Sequence, residues 1–424
     1  MKKFIVFLLV SILGVPLVLG AVVGASYFLI KADEVPAVIL EADGRTVLPK
    51  SYVWHVPVTN GLLYRDFEYG SNSTEDFGIL SESTLPIVFP EEYNSSVVLS
   101  KDGEQLWAGS DAEWNEYTTY SNGVYQVDVT CDSPFSMKSK PYGTFYFSIS
   151  FTLDFEPVLE TSNTTVSQGD VLAIRLSHLQ EGVVPTIEST IPTSQFIPYA
   201  PGQMVAFVPT WFRTSDLEEY IITIQAGNYH WEIPMTVLWV DFPKQNMTID
   251  TSNPDIQDAM SSEANAEYNN TIPPLYAVAD MDKYWQGVFL QPVVDRISTE
   301  YGTRRYTNGA LTSSFHNGMD IAADEGVEIK AAASGRVLFA GFLRATGNTV
   351  VIEHGGGIQT VYFHMLSIST AEGAMVERAD SIGTVGSTGY STGPHLHLEV
   401  RIAGVAINPG PVVGGTSNLY FFER

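Results

Sequence analysis

Short stretches of alternating apolar and polar residues fill most of the chain between residues 35 and 242. Val, Tyr, Phe and Thr are frequent in them, and Asp-Gly, Asn-Gly and Pro-containing turns separate them. Because side chains two residues apart on a strand share a face, this period predicts short strands. We therefore predict a mainly β protein with two β-sandwich-like domains, a β-rich domain at 35–153 and an immunoglobulin-like sandwich at 154–242.

The first 31 residues follow a different pattern. Lys2 and Lys3 precede an uncharged apolar run of 27 residues, 4–30, which Lys31 closes. About 20 residues span a bilayer, so the run favours an uncleaved signal anchor, an N-terminal membrane helix in the cytoplasmic membrane. The alternative is a cleaved signal peptide, because the small residues at 24–26 offer a cleavage site. The positive-inside rule predicts an extracytoplasmic chain, either anchored and facing the cell wall or periplasm, or secreted after cleavage.

Residues 243–285 lose the strand pattern, and Ser, Asn, Asp, Glu and Ala dominate instead. A helix is predicted within 255–268, ended by Pro273 and Pro274. We interpret this segment as a short linker with a helical portion. It leads into a last domain at 286–413 and a tail at 414–424, which either packs back as a final strand or stays loose.

Charge divides the chain in the same way. The 424 residues carry a net charge of −26. Residues 31–290 hold 36 acidic and 11 basic residues, whereas residues 291–413 hold 11 and 8. Such an acidic chain lacks the clustered cations that phosphate contacts require, so we expect no nucleic-acid partner. Cys131 is the sole cysteine, which excludes an intrachain disulfide and limits any metal site to His, Asp and Glu ligands.

Five of the eight histidines lie between residues 316 and 397. His395 and His397 stand two apart in an alternating stretch, so they share a strand face with Glu399, while the intervening apolar residues face a core. Two neighbouring imidazoles are either an exposed pair or members of one site. His316 precedes Asp320 by four residues, a spacing that is weak evidence by itself.

Taken together, these motifs predict a metal centre. His316, Asp320 and one histidine of the pair would supply the three ligands typical of catalytic Zn²⁺. The other histidine of the pair and His364 would then be available for proton transfer and charge stabilisation. The remaining isolated histidines, His55, His178 and His230, are interpreted as structural.

Residues 286–410 resemble the lysostaphin-type zinc endopeptidases, the LytM domain family. The resemblance covers less than a third of the chain, but separate motifs agree in order and spacing. The matching segments are 297–304 (ISTEYGTR), 316–321 (HNGMDI), 331–337 (AAASGRV), 347–348 (GN), 353–355 (EHG), 360–364 (TVYFH) and 386–397 (GSTGYSTGPHLH).

The resemblance implies a compact antiparallel β domain of the LytM type (a duplicated hybrid motif) with a groove over the metal. It implies that His316, Asp320 and His397 bind Zn²⁺. It further implies that His395 is the general base and that His364 stabilises the oxyanion or protonates the leaving group.

Three other positions of the motifs have no catalytic role in this resemblance. His354 lies in a turn that family members share and is interpreted as structural. Glu399 is a candidate hydrogen-bond partner for a ligand histidine. Asn317 departs from the family, which often has Thr after the first ligand, and this change affects no role.

The implied function is a zinc-dependent endopeptidase that hydrolyses peptide bonds of peptidoglycan stems or cross-bridges. All implied ligands and catalytic histidines are present, which favours an active enzyme. The alternatives are a non-catalytic envelope scaffold or regulator of another wall hydrolase, and a peptidase that acts on a non-wall protein. The two acidic β-domains would serve as a spacer, as an inhibitor of the groove, or as a binding module for envelope proteins.

Overall fold

The computed structural model describes residues 15–61, 63–82, 84–114, 121–133, 140–180 and 182–423. The chain divides into two compact units, Met1–Phe155 and Glu156–Arg424. Strands dominate both units, which confirms the mainly β fold class.

The first described element is helix α1, Val15–Leu29, with 15 residues. Within the described ranges, no helix is both long enough and apolar enough to cross a bilayer. Much of the predicted apolar run, residues 4–14, lies outside the described residues. The signal anchor and the cleaved signal peptide therefore both stay predictions.

The first unit is built from two sheets. One has seven strands in the order β4-β3-β10-β9-β7-β8 with β5 parallel to β10, and the other has the order β2-β1-β6. A short helix, α2 (Asp111–Trp114), follows β8. The strands are β1 (Leu40–Ala42), β2 (Arg45–Val47), β3 (Ser51–Val58), β4 (Leu63–Gly70), β5 (Glu75–Ile79), β6 (Ile87–Val88), β7 (Asn94–Lys101), β8 (Glu104–Ser110), β9 (Gly123–Asp132) and β10 (Tyr142–Leu153).

The core of this unit follows from the alternation of its strands. On β9, Tyr125, Val127, Val129 and Cys131 are buried while the residues between them are more exposed. Cys131 is a free, buried thiol within this apolar core, and its Sγ lies 3.4 Å from the hydroxyl of Ser95. Its role is therefore to pack, as expected for a cysteine without a disulfide partner.

The second unit begins with two four-stranded sheets, β11-β13-β16-β15 and β12-β18-β17-β14, which share a buried core. The strands are β11 (Val158–Thr161), β12 (Thr165–Ser167), β13 (Val171–Ser177), β14 (Thr186–Glu188), β15 (Ile197–Ala200), β16 (Gln203–Pro209), β17 (Glu219–Ala226) and β18 (Tyr229–Leu238).

Strand β13 is buried on both faces, in agreement with its nearly continuous apolar sequence. Leu172 and Ile174 face the core between the two sheets. Val171 and Ala173 instead join a second core together with Trp285 and other residues of the last domain. The sandwich and the last domain are therefore packed together within one unit.

Residues 243–285 also belong to this packed unit. Strand β19 (Lys244–Met247) is followed by helices α3 (Pro254–Ala259) and α4 (Ser262–Thr271) and by a 3-10 turn, Pro273–Ala277. The predicted helix is thus present as two helices. Each begins at a side-chain cap, because Asn253 accepts a hydrogen bond from the N–H of Asp255 and Ser261 accepts one from that of Ala264.

The last domain consists of antiparallel strands in two main sheets, β20-β23-β31-β27-β26-β25-β29 with β32 on β31, and β24-β30-β28. Strand β19 pairs in parallel with β21, which pairs with β22. The strands are β20 (Arg296–Thr299), β21 (Arg304–Thr307), β22 (Ala310–Phe315), β23 (Met319–Ala322), β24 (Glu328–Lys330), β25 (Gly335–Leu343), β26 (Gly347–Glu353), β27 (Ile358–Met365), β28 (Ser367–Ile368), β29 (Met375–Val376), β30 (Ser381–Thr384), β31 (His395–Ile402) and β32 (Val405–Ile407).

The C-terminal tail packs back, but not as a strand. Helix α5 (Pro409–Val413) precedes a 3-10 helix at Asn418–Glu423. The buried hydroxyl of Tyr420 donates to the carbonyl of Val412 and accepts from the N–H of Phe289. These bonds tie the tail to the start of the last domain.

Glu353, the last residue of β26, is fully buried. Its hydrogen bonds link residues 243–285 to the last domain. Its Oε1 accepts hydrogen bonds from the N–H groups of Asp280, Gly355 and Gly357. Oε2 is buried and has no hydrogen-bond partner among the described residues. Burial raises the pKa of Glu353 to about 7. The carboxyl group therefore favours its neutral form in the folded protein.

We expect Glu353→Gln to reduce the pH dependence of stability. The unfolded pKa of a glutamate is about 4.3, below the folded value, so the stabilisation is complete below about pH 4.3 and is lost as pH rises through 7. The glutamine cannot ionise but still accepts the three N–H bonds. Between pH 5 and pH 8, urea denaturation should show the variant losing about 2–3 kcal/mol less stability than the parent protein. An equal loss in both proteins would contradict this role for the carboxyl group.

Candidate active site

The candidate ligands come together because of the register of three strands. Strand β23 pairs with β31 so that Asp320 lies directly opposite His397, and β27 pairs with the other edge of β31 so that Phe363 lies opposite the same histidine. His316 lies just before β23, where its N–H donates to the carbonyl of Thr303. Residues far apart in sequence therefore meet at one point of the sheet.

The donor atoms of His316, Asp320 and His397 lie within 4.8 Å of one another, and all three residues are buried. Asp320 Oδ1 is 2.9 Å from His316 Nε2 and 2.8 Å from His397 Nδ1. The two ring nitrogens are 2.9 Å apart. Two imidazole nitrogens and one carboxylate oxygen are a donor set that suits Zn²⁺ and similar divalent ions. Among the residues that the structure describes, this is the one such group of His, Cys, Asp and Glu.

Hydrogen bonds behind the ligands orient both imidazoles. His316 Nδ1–H donates to the carbonyl oxygen of Glu300 at 3.0 Å, so the lone pair of Nε2 faces Asp320. Burial lowers the pKa of His316 to about 4, which keeps the ring neutral. This arrangement fixes the tautomer that a metal ligand needs.

A buried carboxylate stands behind His397. His397 Nε2 lies 3.4 Å from Oε1 of this carboxylate, which belongs to Glu399. Arg401 Nε donates to the other oxygen, Glu399 Oε2, at 2.7 Å. Burial alone would raise the pKa of Glu399, but Arg401 and His397 lower it to about 2. Burial likewise opposes protonation of His397, yet its bonds to Asp320 and Glu399 raise its pKa to about 9. The site therefore favours positive charge, as a metal centre does.

Arg305 contributes to the same centre, and the sequence motifs did not indicate it. Its Nη2 donates to Asp320 Oδ2 at 3.0 Å, which leaves Oδ1 facing the two imidazoles. Despite burial, the histidine hydrogen bonds hold the pKa of Asp320 well below its usual range. The alternation of β21 places Arg304 and Arg305 on opposite faces of the strand. It does not indicate which of the two arginines faces the ligands until the neighbouring strands are known.

Gly318 is required between the first two ligands because the chain passes close to β31. A Cβ atom at this position would lie 2.3 Å from the carbonyl oxygen of Leu398 and 2.8 Å from His397 Nε2. Contacts this short exclude any side chain unless the backbone moves. The motif His-Asn-Gly-Met-Asp therefore needs glycine for packing around the ligand.

His364 lies beside the ligands because of an irregularity in β27. Its φ is +62°, in the left-handed region, and the pairing of β26 with β27 shifts register at this point. Consecutive strand residues normally face opposite sides, but the rings of Phe363 and His364 both lie close to that of His397, at 5.3 and 6.2 Å. Such bulges redirect side chains, and strained backbone is concentrated at functional sites.

The two remaining site histidines, His364 and His395, are oriented alike, because in each ring Nδ1 bonds a backbone carbonyl and Nε2 is left for the cavity. His364 Nδ1–H donates to the carbonyl of Thr388 and His395 Nδ1–H to that of Gly393, both at 2.8 Å. Their ring centres are 4.9 Å apart. Burial, with the neighbouring His395 and His397, lowers the pKa of His364 to about 3. Its Nε2 therefore carries a free lone pair at neutral pH.

These groups open into a cavity of about 370 Å³. Side chains of Asp320, His364, His395 and His397 form its floor. Residues 390–394 line it as well, and so do residues 245–248 and Ile256 from the segment before the domain. The size suits a short stretch of extended peptide rather than a large cofactor.

The other histidines lie elsewhere. His354 is completely buried, with Nδ1 bonded to the carbonyl of Ser334 and Nε2 to the hydroxyl of Thr360. Burial lowers its pKa to about 4, so it is a neutral structural residue. His55 pairs with Asp66 in the first unit, and His230 lies on the sandwich beside Gln225. Neither belongs to the metal group.

Residues 314–409 match the sequence profile of Peptidase family M23. The C-terminal domain belongs to this family. It is the family of the lysostaphin-type, or LytM, peptidases, so the sequence resemblance is confirmed. The matched segment of the M23 domain contains both catalytic candidates and all three candidate ligands.

Curated relatives match between about a quarter and a third of the chain. The DD-carboxypeptidase/endopeptidase Mpg of Neisseria meningitidis is 42% identical over 134 residues, which is 31% of this chain and 31% of that protein. The peptidoglycan DD-endopeptidase ShyA of Vibrio cholerae is 36% identical, covering 27% and 26%. The murein hydrolase activator EnvC of Escherichia coli is 42% identical, covering 23% and 23%. The match thus spans a third or less of these relatives.

A solved structure with a longer overlap is that of a putative peptidase M23 from Pseudomonas aeruginosa. It covers 58% of this chain and 94% of its own, with a TM-score of 0.45 and 21% identity.

Proposed function

We propose that the chain is a zinc-dependent endopeptidase that hydrolyses peptide bonds in peptidoglycan stems or cross-bridges. The observation that supports this proposal best is the convergence of His316, Asp320 and His397 beside His364 and His395, with four of these five residues lining one cavity. Three protein ligands with an open side are typical of catalytic rather than structural zinc sites.

His316 Nε2, Asp320 Oδ1 and His397 Nδ1 are the atoms that would hold the metal. A divalent metal ion held there would polarise a carbonyl oxygen and would lower the pKa of a bound water molecule to about 7. Glu399 and Arg305 keep two of the ligands in orientation through their hydrogen bonds.

In the proposed reaction His395 acts as the general base. Its Nδ1–H is held by Gly393, so its Nε2 lone pair faces the cavity and accepts the proton of the attacking water. His364 is neutral before the reaction and also directs Nε2 into the cavity. His395 passes the proton that it has taken from the attacking water to His364 Nε2, since the two ring centres are 4.9 Å apart, and His364 then donates it to the oxyanion or to the leaving amine.

Peptidoglycan is proposed as the substrate because relatives of the M23 domain are named as peptidoglycan DD-endopeptidases. Such a substrate requires a location outside the cytoplasm. We propose that the apolar segment at 4–30 anchors the chain in the cytoplasmic membrane facing the wall, with secretion after cleavage as the alternative. The β-domains are proposed to bind envelope proteins or to set the distance between membrane and wall.

A non-catalytic regulator of another wall hydrolase is the second candidate. One relative of similar identity, EnvC, is named a murein hydrolase activator. The described site argues for an enzyme, because the three ligands and both proton-transfer histidines are all present and mutually oriented.

The deciding experiment incubates the purified chain with isolated peptidoglycan sacculi and identifies released fragments by mass spectrometry. We expect new amino and carboxyl termini at one type of peptide bond, loss of release with a chelator, and recovery with Zn²⁺. Fragments with cleaved glycosidic bonds would contradict the proposal. No release by the pure chain, with release when a second wall hydrolase is added, would support the regulator instead.

A further inference from the structure

A second cavity, of about 510 Å³, lies where the sandwich meets the M23 domain. Its walls are largely apolar, and they include Trp211 and Tyr220 of the sandwich and residues 404–406 of the M23 domain. Among the residues that the structure describes, it shares no lining residue with the catalytic cavity. Apolar cavities of about 300–1,000 Å³ with a few polar groups are typical binding sites for small ligands. The proposed reaction leaves this cavity without a role.

Positive charge distinguishes this second cavity from the rest of the chain. Arg213 and Arg401 line it and none of its described lining residues is acidic, although the chain has 48 acidic and 22 basic residues. Glu399 pairs with Arg401, so Arg213 supplies most of the net charge. The Arg213 guanidinium lies 5.3 Å from the ring centre of Trp211 and 4.9 Å from that of Phe315. The cavity therefore suits an anionic group attached to an apolar body.

Two polar side chains in the cavity are available to a ligand. Arg401 is 8% exposed, and its Nε and Nη1 donate to Glu399 and to the carbonyl of Gly404. Its Nη2 has no hydrogen-bond partner among the described residues, and it is not one of the fully enclosed atoms that lack a partner. The same is true of the side-chain amide of Asn317, which also lines the cavity. Both groups can therefore donate a hydrogen bond to a bound molecule.

The cavity is close to the metal group but separate from it. Asn317 directly follows the candidate ligand His316 in the chain. Arg401 lies four residues after His397 on β31, which is about 13 Å along the strand. A polymer with several peptide branches can therefore place one branch at the metal group and another in this cavity.

We propose that this second cavity, here called the arginine cavity, binds a free carboxylate of a second peptidoglycan stem peptide beside the one that is cut. The inference rests on the proposed peptidoglycan substrate. Stem peptides carry free carboxylates and small apolar side chains, which match the guanidinium groups and the apolar walls. Arg213 forms the main ion pair, and Arg401 and Asn317 add hydrogen bonds. A second attachment raises the local concentration of the wall polymer at the metal group.

The test measures binding of the acetylated dipeptide L-Ala-γ-D-Glu to the full chain by calorimetry. The same dipeptide with both carboxylates converted to amides should bind about 10-fold more weakly or worse, because hydrogen bonds to charged groups are the stronger ones. Arg213→Gln should weaken binding of the acid form about 10-fold. Arg175→Gln is the matched control and should not change the affinity, because this sandwich arginine also lies over an aromatic ring but does not line the cavity.

Equal affinity for the acid and amide forms, or no binding of either, would overturn the proposal. So would an unchanged affinity in Arg213→Gln, because a carboxylate that bound only to a metal ion would give that result. If this variant has a lower melting temperature, Arg213→Met takes its place, since methionine keeps apolar contact with the rings, and an unchanged affinity there would overturn the proposal as well.

Assays on sacculi separate this inference from the proposed function. A parent chain that cleaves sacculi but does not bind the dipeptide would overturn the arginine cavity alone. A parent chain that binds the dipeptide through Arg213 but cleaves nothing would support the arginine cavity and contradict the proposed peptidase alone.

Discussion

His397→Ala should abolish metal binding and hydrolysis together. The substitution removes one of three ligands and also the group that links Asp320 to Glu399. Loss of a residue that is hydrogen-bonded to a metal ligand costs about 10–100-fold in metal affinity. Loss of the ligand itself should therefore weaken metal affinity by more than about 100-fold. Zinc content by mass spectrometry should fall from one ion per chain to none, and release from sacculi should fall to background.

The control for this substitution is His230→Ala, which alters an exposed histidine of the sandwich outside the metal group. It should retain both zinc and activity. Survival of hydrolysis in His397→Ala, with the melting temperature and circular dichroism unchanged, would show that the ligand assignment is wrong.

His395→Ala should separate catalysis from metal binding. The imidazole is not one of the three converging ligands, since its Nε2 is 3.8 Å from Asp320 Oδ1 and its Nδ1 is bonded to Gly393. Zinc content should therefore stay at one ion per chain. Removal of a general base typically costs 10²–10⁴-fold, and we expect kcat to fall by about that factor.

His364 should behave in the same way, but its test needs a suitable replacement. Its φ of +62° disfavours alanine, whereas asparagine tolerates the left-handed region. His364→Asn should keep zinc and lower kcat by about 10²–10⁴-fold. If the two histidines act in one proton-transfer unit, the double variant should have a kcat little lower than that of either single variant.

An unchanged kcat in His395→Ala would exclude the role of His395 as the base.

Residue type and spacing along the chain determine a large part of the site. The alternation around His395 and His397 predicted that both project from one strand face with Glu399, and the fold places Glu399 within 3.4 Å of His397. A strand period of two needs no tertiary information, because the pleat itself sets the direction of each side chain. The turn signals likewise predicted the mainly β fold, because Gly, Asn and Asp mark tight turns by local conformational preference.

Other features depended on strand pairing, which local sequence does not specify. The bulge that turns His364 toward the ligands arises from the register shift between β26 and β27. The ion pair between Arg305 and Asp320 joins β21 to β23, two strands that do not pair with each other. The segment predicted as a linker supplies β19 and four residues that line the cavity, 245–248, because its backbone pairs with β21. Long-range hydrogen bonds of this kind are made by backbone groups that every residue has.

The candidate site residues of this protein were therefore readable from its sequence, and their surroundings were not. His316, Asp320, His364, His395 and His397 could be named from residue type and spacing, since few side chains bind metals or transfer protons near neutral pH. The pKa shifts and the tautomers of these histidines follow from burial and from neighbours brought together by the fold. Only the tertiary structure decides these properties, because desolvation and hydrogen bonding depend on contacts between residues distant in sequence.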